Sequence, residues 1–139
     1  MKPNFNLKVA DLRQRLRLCA TDHLELFMGW MAMVWGTWIM LPFSTFDSSP
    51  STYSTMRWIC NSEFAWGGFV ATVGLCVWIA WALGTVRHRS WLAFTGAMVW
   101  LLLAAMFLIG DARSAGGAVY GSFCLASAVV HLRLTRRGV

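Results

Sequence analysis

The run Trp91-Leu92-Ala93-Phe94-Thr95-Gly96-Ala97-Met98-Val99-Trp100-Leu101-Leu102-Leu103-Ala104-Ala105-Met106-Phe107-Leu108-Ile109-Gly110 contains no Asp, Glu, Lys or Arg. It passes the ~18 apolar residues that mark a membrane-crossing helix. Residues 26–43, 64–86 and 114–132 are three further stretches free of those four residue types. Across the 139 residues 58% are hydrophobic and only 13% charged, against about 25% charged in a soluble domain. Eighteen charged side chains are too few to clothe a soluble surface. The composition therefore excludes a soluble enzyme, an ordinary nucleic-acid module and a disordered tail. It predicts an all-α polytopic membrane protein with spans near 24–43, 64–86, 91–110 and 114–132, joined up-and-down as a four-helix bundle.

The net charge of +6 encodes orientation once it is placed on the chain. Lys2, Lys8, Arg13, Arg15, Arg17, Arg87, Arg89, Arg133, Arg136 and Arg137 fall in segments on one side of such a bundle, and only Arg57 and Arg113 on the other. By the positive-inside rule both termini are then cytoplasmic, and no specific nucleic-acid partner is implied.

Residues 1–22 form a basic leader ahead of a transmembrane domain at 23–139. The leader is too long and basic for a cleaved signal peptide, and no small-x-small site follows the first apolar run. Val9, Leu12, Leu16 and Cys19 recur at helical spacing, with Arg13, Gln14 and Arg17 on the other side. One reading is an amphipathic helix lying in the headgroup layer, with Arg13, Arg15 and Arg17 on anionic lipid; the other is a leader that only sets topology. Thr21-Asp22-His23-Leu24-Glu25 reads as a helix start, with Asp22 as cap. Span one then ends at Pro42.

Residues 44–63 are the only long loop, predicted to lie outside. Pro50 suits the first turn of a short helix carrying Tyr53, Met56 and Ile59 or Cys60 on one face. Asn61 or Ser62 is placed to cap span two. The links Arg87-His88-Arg89-Ser90 and Asp111-Ala112-Arg113 are short enough to force antiparallel neighbours.

Chemistry-bearing residues are sparse. Cys19, Cys60, Cys76 and Cys124 have no CxxC spacing, so neither a disulfide framework nor a metal site is implied. No ionisable residue interrupts the spans, which argues against a proton-coupled carrier. His23, His88 and His131 all fall near the cytoplasmic edge. His23 and His131 could hold a b-type haem between spans one and four, or sit there as helix-end histidines do. The residues call for no resident cofactor or metal and no catalytic group. Of nine tryptophans, Trp58, Trp66, Trp81 and Trp91 fall near interfaces, while Trp35, Trp100 and Trp78 fall deeper. The deeper indoles should face the bundle, with Thr37, Thr72, Thr95 and Ser122 as available acceptors. Small residues supply the neighbours large rings need: Gly96 and Ala97 in span three, and Gly117, Gly121 and Ser122 in span four. Gly117 and Gly121 make a GxxxG, a motif that serves helix packing within one chain or self-association.

A longer pattern joins these features: Trp38, Leu41-Pro42-Phe43, Thr45-Phe46, Pro50, Tyr53, Met56, Glu63, Trp66-Gly67 and Gly74, then Trp100, Tyr120, Ala126-Ser127-Ala128 and His131-Leu132-Arg133-Leu134. Over about residues 35–134 it resembles a loose group of small four-span membrane proteins encoded by tailed bacteriophages of Gram-negative bacteria. The resemblance implies a bacteriophage origin and the host inner membrane, and it brings no catalytic residues with it. In that setting a small span-rich chain serves as a holin-like oligomer that opens holes at lysis. Its alternative use is as a superinfection-exclusion factor or membrane anchor for a phage or host membrane protein. A small haem or redox subunit is the rival from another class.

Overall fold

The computed structural model describes residues 5–42 and 45–137, with side chains from residue 19 onward except at position 48. Among the described residues every regular element is helical: α1 (Phe5–Met40), α2 (Thr45–Ser48), α3 (Ser54–Ile59), α4 (Glu63–Leu83), α5 (Val86–Gly110) and α6 (Ala115–Thr135). Helices α4, α5 and α6 are each long and apolar enough to cross a membrane.

Helix α1 corrects the expectation of a separate leader. It runs unbroken for 36 residues, about 54 Å at 1.5 Å per residue. Sharp bends need Pro, Gly pairs or an inserted group, and residues 5–28 contain neither Pro nor Gly. A leader helix lying flat ahead of residue 22 has no break on which to turn. Thr21 and Asp22 are therefore inside the helix, and Asp22 is not its cap. The helix ends at Met40, ahead of Pro42, because the ring restricts the residue before it to extended backbone. The charge-free part of α1, 26–40, is about 22 Å long and short of a ~30 Å hydrocarbon core.

The links also move. Ser62 caps α4, its hydroxyl accepting from the Ala65 N–H at 3.2 Å. Helix α4 stops at Leu83, and Thr85 caps α5 by accepting from the His88 N–H. The turn is thus Gly84-Thr85, and the expected link Arg87-His88-Arg89-Ser90 is the opening of α5. A Gly that stops one helix and a Thr that starts the next outrank a run of charges, which a helix end tolerates. Between α5 and α6, Asp111 Oδ1 accepts from the Arg113 N–H at 3.0 Å and Ser114 caps α6.

The four long helices form two close antiparallel pairs, α1 with α4 and α5 with α6, joined along a sparser seam. The first pair is a backbone-to-backbone contact. A Cβ built on Gly36 would lie 2.5 Å from the Gly67 carbonyl oxygen and from the Ala71 nitrogen. One built on Gly74 would lie 2.5 Å from the Gly29 oxygen. Gly29 and Gly36 on α1, and Gly67 and Gly74 on α4, are each seven residues apart. That is close to two helical turns, so each pair lies on one face. The Trp78 indole adds a bond across the pair, donating to the Leu26 carbonyl at 3.2 Å.

Aromatic side chains fill the middle of the seam. Tyr120 stacks on Trp100 with centroids 5.7 Å apart, meets Trp35 edge-on at 5.4 Å and touches Phe107 at 4.9 Å. Trp100 is buried, and Trp35 is partly buried against this cluster, so both rings face the bundle as expected. Three of the four expected acceptors are engaged on their own helices. Thr72, Thr95 and Ser122 are exposed and donate to the carbonyls of Gly68, Trp91 and Ala118 one turn back on their own helices. A hydroxyl reaches that carbonyl without any partner helix, so it can sit on the outer face.

The loop 45–62 folds over the end of the bundle near Gly110. Met56 is fully buried. Tyr53 stacks on Phe46 and meets Phe107 edge-on, each at 5.2 Å. The Phe46 N–H donates to Glu63 Oε1, and the Trp66 indole donates to the Met56 and Cys60 carbonyls at 3.2 and 3.0 Å. Trp66 therefore faces inward, while Trp58 is 87% exposed. Burial, and then the nearby Glu63 charge, push the Tyr53 phenol above its usual pKa.

Candidate functional site: a buried charge cluster at the seam

Opposite the capped end, the seam is closed by charge. Asp22 and Glu25 stand almost one turn apart on α1, and Arg89 reaches them from the first turn of α5. Arg89 Nε donates to the two Glu25 oxygens at 3.2 and 3.1 Å, and Nη2 donates to Glu25 Oε2 at 2.5 Å and Asp22 Oδ1 at 2.6 Å. Beyond the end of α6, Arg137 Nη1 donates to the same Asp22 oxygen at 3.4 Å. The Glu25 side chain is 3% exposed and that of Arg89 13%. Two carboxylates face two guanidiniums, and the fork of Arg89 meets Glu25 in a bidentate grip. Thr21, also buried, accepts from Arg133 Nη1 at 3.5 Å.

A second network, of Ser90, Thr135 and His131, locks α5 to α6 beside it. The Ser90 hydroxyl lies 2.9 Å from Thr135 Oγ1 and 3.0 Å from His131 Nδ1. His131 Nδ1 is also 2.8 Å from the Ser90 carbonyl. A carbonyl only accepts, so Nδ1 carries the proton in that bond.

Next to Glu25 the seam leaves a cavity of about 20 Å³, walled by Gly29, Gly74, Gly96, Trp100 and Ser127. That is room for one water. The cluster can neutralise charge, fix the angle between the two helix pairs and admit a little water. No group of three or more metal-ligating side chains comes together among the described residues.

The residues expected from sequence fall in different places. Gly96, Ala97 and Gly117 are buried. A Cβ on Gly117 would lie 2.5 Å from the Leu108 side chain, and one on Gly96 would approach the Ser127 hydroxyl at 3.9 Å. Gly121 has no heavy atom within 4 Å of such a Cβ, and its neighbour Ser122 is exposed. Arg13, Arg15 and Arg17 belong to the helical backbone of α1, but their side chains lie outside the described residues. His23 Nδ1 is bonded locally to the Cys19 carbonyl at 2.7 Å, and His131 is held by Ser90. Sequence reasoning missed Glu25 and Arg89 as a pair because it put Arg89 in a link. The available signal was the Gly84-Thr85 boundary, which places Arg89 one turn into a helix opposite the start of α1's apolar stretch. No known protein family matches the chain, nor does any curated protein or any solved structure.

Proposed function

We propose that the chain is a non-enzymatic integral membrane protein of four spans that acts by associating with itself, in the manner of a phage holin in a bacterial inner membrane, with both termini cytoplasmic. One observation carries the membrane reading: large apolar side chains line the exterior of all four long helices while the ion pair is inside. Phe27, Trp30, Val34 and Trp38 are 45–57% exposed on α1, Leu75 and Ile79 on α4 are each 50% exposed, and Leu101 and Leu125 are exposed on α5 and α6. A soluble bundle would bury the first set and expose the second. Helix α1 shares this exterior and lies along α4, so it is read as the fourth span despite its short charge-free stretch. Asp22 and Glu25 enter the bundle already neutralised by Arg89 and Arg137, which extends the length that apolar surroundings tolerate. Arg13, Arg15 and Arg17 then rise through the headgroup layer on a continuous helix.

The open, small face at Gly121 and Ser122 supports self-association, because it lets a second backbone approach without displacing anything in the chain. Inducible expression in a bacterial host, with membrane potential recorded, tests the reading: abrupt depolarisation is expected, together with cross-linked oligomers that Gly121→Leu removes while insertion persists. Unaffected growth and potential, with resistance to phage infection, would instead favour an exclusion factor. The exposed Trp58 on the folded outer cap and Phe64 beside it in the first turn of α4 suit that second use.

A further inference from the structure

We propose that the groove between the first turn of α5 and the last turns of α6 binds the phosphate of an anionic phospholipid. The groove has a volume of about 440 Å³ and is lined by Arg87, His131, Ser90 and Thr135 on its polar part and by Val86, Trp91 and Leu134 on its apolar part. The inference rests on the membrane-embedded reading above, which places this end of the bundle at the cytoplasmic headgroups.

Arg87 is exposed and makes no ion pair among the described residues. The described carboxylates at this end, Asp22 and Glu25, are both committed to Arg89 and Arg137. Among the described residues, then, no carboxylate neutralises Arg87 beside the groove. It stands in the first turn of α5, where the backbone N–H groups have no intrahelical acceptor and the helix end is positive. His131 is orientated in advance: Nδ1 donates to the Ser90 carbonyl at 2.8 Å, and Nε2 has no partner among the described residues. A headgroup hydroxyl can bond to that nitrogen without disturbing the Nδ1 bond. Ser90 and Thr135 are tied to each other and to the ring, so they stiffen the wall.

Phosphate chemistry could come from a lipid or from free phosphate, and the apolar half decides for the lipid. Leu134 is fully buried as a floor, while Trp91 is 60% exposed at the rim. Indole rings favour the boundary where a phospholipid passes from glycerol to acyl chain. Basic pockets between spans on the cytoplasmic side take anionic headgroups in the same way.

The test reconstitutes the full chain into vesicles of equal phosphatidylglycerol and phosphatidylcholine, extracts it in mild detergent and quantifies the lipid that stays bound. Enrichment of phosphatidylglycerol is expected. Arg87→Gln should lower that enrichment about fivefold, the worth of one arginine near an anionic surface. Arg136→Gln removes the same charge from outside the groove and should change it less than twofold. Equal retention of the two lipids by an inserted protein, or equal effects of the two substitutions, overturns the site. Loss of the bound lipid to a millimolar wash of inorganic phosphate overturns the lipid in favour of a soluble anion. Carbonate extraction of the vesicles is read first: a chain that washes off defeats the membrane reading itself, which the lipid ratios do not address.

Discussion

Each end of the bundle carries an arginine–carboxylate pair, and their settings are opposite. Arg89 with Glu25 is nearly closed off from solvent, at 13% and 3% side-chain exposure, whereas Arg57 with Asp47 on the outer cap is 36% and 71% exposed at 3.2 Å. The inner pair connects α1 to α5 across the seam where the two helix pairs touch least. The outer pair joins two short helices already held by Met56, Tyr53 and the Trp66 indole. Burial makes either partner of the first pair costly to remove alone, because the other is left as a stranded charge. Solvent makes the second nearly irrelevant. The outer end is held by rings and satisfied backbone groups, the inner end by charge.

Arg89→Leu should produce the largest effect. It leaves Glu25 unpaired in the bundle and is expected to cost about 3–5 kcal/mol, read as unfolding in detergent micelles. Adding Glu25→Gln should recover part of that loss, since no stranded charge remains. If Arg89→Leu is neutral, water reaches Glu25 freely and the contrast between the two ends collapses.

The two glycines of α6 sharpen the same point about surroundings. Gly117→Leu forces bulk against Leu108 and should cost about 1–3 kcal/mol in the monomer. Gly121→Leu meets open space and should leave monomer stability within about 0.5 kcal/mol, while removing the proposed self-association. Equal losses in the monomer would mean that Gly121 faces another part of the same chain.

Arg57→Gln should give the smallest change, at most about 1 kcal/mol and weaker still in high salt. A loss as large as that of Arg89→Leu would show that the cap depends on charge after all.

Much of the cap and of the outer helix boundaries was legible in the residues. Ser62 announced the start of α4, Pro42 the stop of α1, and Trp100 an inward ring, because each follows from a local rule about backbone donors or an indole N–H. Asp22 was misread for the same reason. Thr-Asp ahead of an apolar run is a good cap locally, but a carboxylate that can reach Arg89 on α5 and Arg137 just past α6 gains more inside a continuous helix. The glycine contact between α1 and α4 was also hidden, since seven-residue spacing on two separate helices acquires meaning only when the helices are set side by side.

By itself the sequence determined the helical class: long runs without charge satisfy their backbone polar groups internally as helices, and α4, α5 and α6 are long and apolar enough to cross a membrane. It also determined that α4, α5 and α6 are joined by short links, although the first of them falls at Gly84-Thr85 rather than at Arg87–Ser90. Which helices pair most closely, which glycines meet backbone and which face open space, and that Arg89 turns inward onto Glu25 were decided by tertiary structure. Those outcomes depend on distances between residues 31 to 64 positions apart, where close backbone approach and mutual neutralisation of charge act, and no local pattern carries that information.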